Sequence, residues 1–120
     1  MPIEKLLYLM KENPEMFFRE ERIEYIHEFL GGYCFAGKKN GLPKEDMRRE
    51  FSFWFWKWFL QWIEENVDPE YSPPSCCWAD YIKELAGGEE KEVPLFYELC
   101  KSFFEDYENK CGYFEWRKQF

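Results

Sequence analysis

Apolar positions recur at helical spacing along nearly the whole chain. Ile3, Leu6, Leu7 and Met10 fall on one helix face and predict a first helix from Pro2 to about Glu12. Proline suits a first turn. Asn13-Pro14 closes the helix, because a residue before proline avoids the α region. Ile23, Ile26, Phe29, Leu30 and Tyr33 stripe a second helix, expected over Glu20 to Ala36, with Glu20 and Glu21 favoured at its positive N-terminus. Gly31-Gly32 lies inside it and is expected to let another helix approach closely. Gly37 to Pro43 then reads as a turn-rich loop.

The third helix, expected over Pro43 to Asn66, carries the densest run of rings. At 100° per residue, Trp54, Phe55, Trp58, Phe59 and Trp62 share one broad face. Phe53, Trp56, Leu60 and Ile63 cover the opposite flank, leaving a narrow polar stripe of Glu50, Lys57, Gln61 and Glu64. A helix apolar nearly all round is a buried one, so Trp54 and Trp58 are expected inside the core. A strand reading is weaker, because the run is contiguous and does not alternate. Phe51 to Ile63 is also too short to span a membrane, which takes about 20 apolar residues.

Val67 to Pro74 reads as a loop, with prolines at 69, 73 and 74. Ser75 is the expected N-cap of a helix from Cys76 to Ala86, which Gly87-Gly88 ends. A last helix runs from Glu89 to about Glu108, with Pro94 near its first turns and Val93, Phe96, Tyr97, Cys100, Phe103, Phe104 and Tyr107 in helical register. The tail from Gly112 to Phe120 holds Tyr113, Phe114, Trp116 and Phe120, and is expected to pack back on the rest. The pattern predicts an all-α fold: a single domain over 1–120, a helical bundle of about five helices around a central aromatic-rich helix.

Composition sharpens this picture at three points. Six Trp, eight Tyr and 13 Phe in 120 residues are more rings than one core needs, so some are expected at the surface. The net charge of −8 argues against nucleic-acid binding, which wants a basic footprint. The five cysteines (Cys34, Cys76, Cys77, Cys100, Cys111) are odd in number and form no C-x-x-C pair, which fits free thiols in a cytoplasmic protein. No signal peptide is visible at the start of the chain.

Chemistry is sparse. Nucleophilic catalysis needs a Ser or Cys beside an oriented base, and His27 is the lone histidine. No zinc spacing, phosphate-binding glycine loop or EF-hand loop is present, so no metal or cofactor is expected. Glu20, Glu24 and Glu28 lack a histidine spaced to join them as ligands, and read as a solvated face. The residue pattern therefore gives no positive support to an enzyme.

Charge placement says more. Residues 64–108 carry 13 acids against three lysines, whereas residues 1–63 balance. One-sided charge with surplus aromatics suits a surface that steers and then grips a basic protein. An acidic face kept only for solubility is the plain alternative.

Three stretches carry a likeness. They are Lys11-Glu12-Asn13-Pro14-Glu15-Met16-Phe17, then Ile26 to Ala36 through Phe29-Leu30-Gly31-Gly32-Tyr33, and Leu95 to Leu99 followed by Phe103-Phe104-Glu105. Trp58, Trp62, Trp78 and Ile82 fit between them. This pattern resembles small all-helical immunity proteins of bacterial contact-dependent growth inhibition and related polymorphic toxin systems. Glu15 departs from it where glycine is expected, and residues 51–62 are unusually aromatic. The resemblance implies a non-enzymatic, cytoplasmic inhibitor of one cognate toxin C-terminal domain, commonly a nuclease. Positive charge on such a toxin would meet the acidic 64–92 stretch: Asp68, Glu70, Asp80, Glu84, Glu89 and Glu90, with Tyr71 as an aromatic anchor. A regulatory or structural interaction module, self-associating through its aromatics, is the competing reading. Neither reading calls for nucleic acid, a membrane or a cofactor.

Overall fold

The structure, a computed structural model, describes residues 1–111, and their side chains as far as Tyr107. Five α-helices, and no strand, make up the described residues: α1 (Ile3–Glu12), α2 (Ile23–Lys39), α3 (Met47–Asn66), α4 (Trp78–Ala86) and α5 (Glu89–Cys111). A 3₁₀ turn at Pro14–Met16 follows α1. The all-helical expectation holds. The tail from Gly112 to Phe120, expected to pack back, lies outside the described residues.

The first helix follows its pattern, burying Ile3, Leu6, Leu7 and Met10. The second starts three residues later than expected, at Ile23 after an extended Arg22, so Glu20 and Glu21 precede it and only Glu24 lies in its first turn. Phe17 and Phe18 explain the delay. Both set their rings edge-on against Phe29 at 5.7 Å, which carries the chain across α2 before the helix begins.

α3 begins at Met47, not Pro43, because Asp46 caps it: one carboxylate oxygen accepts from the Arg48 backbone N–H at 2.9 Å. The Arg48 guanidinium binds the same carboxylate, and together these bonds hold the Asp46 acid below its usual range. α4 also starts later than expected, at Trp78. Ser75 is not its cap; its hydroxyl accepts from the Cys77 N–H at 3.0 Å in the turn before the helix. Gly87 ends α4 at φ 76°, a left-handed conformation suited to glycine.

The largest correction concerns α3. It is central, packing against α1, α2 and α5. It is not buried all round. One stripe at i+4 spacing (Met47, Phe51, Phe55, Phe59 and Ile63) is buried, while Trp54, Trp56, Trp58 and Trp62 are half-buried. Phe53 is 46% exposed, with the Lys57 ammonium over its ring. The indole N–H accounts for the place of Trp56 and Trp58, since it favours an acceptor when desolvated. Trp56 donates to the Tyr81 hydroxyl at 2.8 Å and Trp58 to Asp106 at 2.9 Å. Phe51, Phe55 and Phe59 carry no such requirement and take the dry side.

Gly31 and Gly32 do not mark a helix contact either. Both are exposed, and a Cβ built on either meets nothing within 4 Å. The close approach is at Gly37, which the sequence pattern placed in a loop: a Cβ there would sit 3.1 Å from the Arg48 carbonyl. Gly31→Ala is expected to stabilise the protein by about 0.5–1 kcal/mol, because alanine is the better helix former and the site has room. Gly37→Ala is expected to destabilise it, and thermal unfolding of the two variants tests both signs.

Candidate functional site

The acidic stretch is organised by two tyrosines. Tyr81 of α4 is buried, and its hydroxyl donates to the Ser75 carbonyl at 2.7 Å while accepting from Trp56 of α3. This ties the loop before α4 to the aromatic helix. Tyr71 sets its ring edge-on to Tyr81 at 6.0 Å and donates its hydroxyl to Glu84. Burial, and then the bond to Glu84, push the Tyr71 phenol well above its usual range, so it stays a neutral donor.

Around this pair the carboxylates are held at the surface. Asp68 accepts from the Glu70 backbone N–H at 2.9 Å, and its carbonyl accepts from Tyr71 at 3.1 Å. Asp80 accepts from the Ser75 hydroxyl at 2.7 Å. Asp80 and Glu84 are four residues apart on α4 and so share a face. Asp68, Glu70 and Glu84 are exposed, and Asp80 is half-buried.

None of these four acids forms a salt bridge among the described residues. Lys83, beside Glu84 in sequence, reaches across to Glu24 of α2 instead. The basic residues near α3 are partly spoken for: Arg48 pairs with Asp46, and Arg49 with Glu50. The acidic face therefore keeps its field, while Arg48 and Arg49 at the start of α3 are neutralised locally.

Five of the seven residues singled out in the sequence gather here: Asp68, Glu70, Tyr71, Asp80 and Glu84. Glu89 and Glu90 do not join them. They are exposed at the start of α5 and line a separate groove with Glu21 and Lys11. Sequence reasoning missed Tyr81, Ser75 and Trp56, which fix the shape of the face. Their bonds join residues 6 and 25 positions apart, and no local spacing signals them.

A second place brings reactive groups near one another. His27, Ser52, Cys76 and Trp78 line a cleft of about 280 Å³. His27 lies edge-on to Trp78 at 4.8 Å, and burial lowers its pKa against the opposing pull of Asp80 and Glu28. Among the described residues the His27 ring makes no side-chain hydrogen bond; its ring neighbour is Trp78. A histidine with a depressed folded pKa favours the folded state above its unfolded pKa, and that contribution is lost as pH falls. His27→Gln is therefore expected to flatten the decline in stability below about pH 6.5. Urea midpoints across that range test it.

No group of three or more His, Cys, Asp or Glu among the described residues is arranged to hold a metal ion. No described helix is long and apolar enough to cross a membrane. Cys34, Cys76, Cys77 and Cys100 are free thiols, and full burial pushes the Cys100 thiol well up. No family model, curated protein or solved structure matches the chain.

Proposed function

We propose that the chain is an immunity protein: it binds and neutralises a cognate, basic toxin domain of the nuclease class by protein–protein contact. The observation that carries this reading is the acidic face of Asp68, Glu70, Asp80 and Glu84, which among the described residues forms no salt bridge and is held in shape by Tyr71 and Tyr81. A nuclease carries positive charge to hold its nucleic acid, and that charge matches this face. Rim carboxylates steer the encounter, and affinity comes from a few anchored rings such as Tyr71. The loop is already pinned before binding, which limits the entropy lost on association. The reading needs no cofactor, and the inhibitor acts in the cytoplasm by covering the toxin.

The test is co-expression with a basic nuclease toxin domain, beginning with any such domain encoded immediately upstream of this gene. The expected result is a complex that co-purifies and a toxin that no longer degrades nucleic acid. Failure to co-purify, with the nuclease activity untouched, would overturn the reading and favour an interaction module with another partner.

A further inference from the structure

The cleft at His27 is walled largely by rings, with no Asp, Glu, Lys or Arg in its lining. His27, Ser52, Phe53, Trp56, Cys76 and Trp78 enclose about 280 Å³. Trp78 is buried, His27, Ser52 and Trp56 are half-buried, and Phe53 and Cys76 are exposed, so the cleft runs from a dry base to water. Its rings are fixed before anything binds. The Trp56 indole N–H is spent on the Tyr81 hydroxyl at 2.8 Å, and His27 stands edge-on to Trp78.

The charges that reach the His27 ring are the carboxylates of Asp80 and Glu28. Among the described residues neither is in a salt bridge, and the one side chain that donates to Asp80 is the neutral Ser75 hydroxyl. The bases along this part of α3 are engaged elsewhere: Arg48, one turn before Ser52, binds Asp46, and Lys57 lies over the Phe53 and Trp54 rings. Other exposed rings of this chain also take a cation on one face, Arg22 over Tyr25 and Lys39 over Phe35. Among the described residues no lysine or arginine lies over Trp56.

We propose that this cleft binds an arginine side chain of a protein partner, its guanidinium against the Trp56 ring and paired with Asp80. Charge complementarity selects a cation, since an anion would be repelled by Asp80 and Glu28. Shape selects the kind of cation. A guanidinium is planar, stacks on aromatic faces and sheds water more readily than an ammonium. Asp80 serves the cleft and the acidic face alike, so a partner docked on that face has the cleft within reach. The choice of a protein partner rests on the toxin reading; the preference for a guanidinium does not.

Titration of the full chain with the end-blocked tripeptide Gly-Arg-Gly, followed by NMR, tests this with no toxin present. His27 is the lone histidine, so its ring protons report on the cleft without overlap. The arginine peptide is expected to shift the His27 ring and Trp56 indole signals along a saturating curve. Gly-Lys-Gly carries the same charge and is expected to bind at least about threefold more weakly. Asp80→Asn keeps an oxygen for the Ser75 hydroxyl and removes the charge. It is expected to weaken the arginine peptide at least about threefold, with helical circular dichroism unchanged. Signals that do not move, equal binding of the two peptides, or an Asp80→Asn chain that binds as the parent does would each overturn the proposal. Arginine binding by a chain that captures no toxin would uphold the cleft and remove only the toxin reading. A captured toxin without arginine binding would do the reverse.

Discussion

Replacing Phe55 with alanine is expected to cost about 3–5 kcal/mol, the largest loss from any single truncation in the core. Phe55 is fully buried on the inner stripe of α3, and rings of three helices, α3, α4 and α5, meet at it. Trp78 of α4 lies 5.1 Å away edge-on, and Phe96 and Phe103 of α5 each lie 5.7 Å away. Phe51 stacks on it from within α3 at 5.4 Å. A cavity here cannot collapse easily, because the rings around it also pack on one another, as Trp78 does on Phe96 and Phe51 on Phe103. Trp54→Ala and Trp58→Ala, on the half-buried flank, are expected to cost less than half as much. Urea unfolding of the three variants measures the ranking, and a Trp54 loss equal to that of Phe55 would mean α3 is buried on both sides.

Trp78→Ala is expected to be nearly as severe, at about 3–5 kcal/mol. The indole is 1% exposed and stacks on Phe96 with centroids 5.0 Å apart and planes 9° from parallel. It couples α4 to α5 and, through Phe55, to α3. Among the described residues its N–H has no hydrogen-bond partner, a cost already carried by the folded state. Trp78→Phe therefore removes an unmatched donor along with some volume, and is expected to cost far less than the alanine change. Because Trp78 and Phe55 touch, their alanine losses should not add, and a double-mutant cycle reads their coupling. Strict additivity would contradict the packing described.

The parts of the fold legible in the sequence are those where apolar residues sit on one side only. Ile3, Leu6, Leu7 and Met10 could face just one way, and α1 was readable to within a residue. α3 offered rings on every side, so its pattern identified a central helix without its rotation. The deciding signal was present in residue chemistry: phenylalanines at 51, 55 and 59 need no polar partner, while Trp56 and Trp58 do. The start of α2 was misread because its cause, Phe17 and Phe18 against Phe29, is a tertiary contact. The acidic site was legible as composition, and its division was not. Glu89 and Glu90 follow Glu84 closely in sequence, yet the left-handed turn at Gly87 starts a new helix and sends them to another groove. The bond from Tyr71 to Glu84 spans 13 positions, beyond any local pattern.

The most direct measurement of the proposed function is the association rate with the toxin domain, taken by stopped flow across a range of ionic strength. The comparison is between the parent and the double variant Glu70→Lys, Glu84→Lys, whose side chains are exposed and whose helices should remain intact by circular dichroism. If the Tyr71 face meets the toxin, the double variant associates about tenfold more slowly at low salt, and its rate loses most of its salt dependence. An unchanged rate with an unchanged salt response would contradict that placement and move the interface off the acidic face, toward Lys38, Lys39 and Lys44 at the opposite sign of charge.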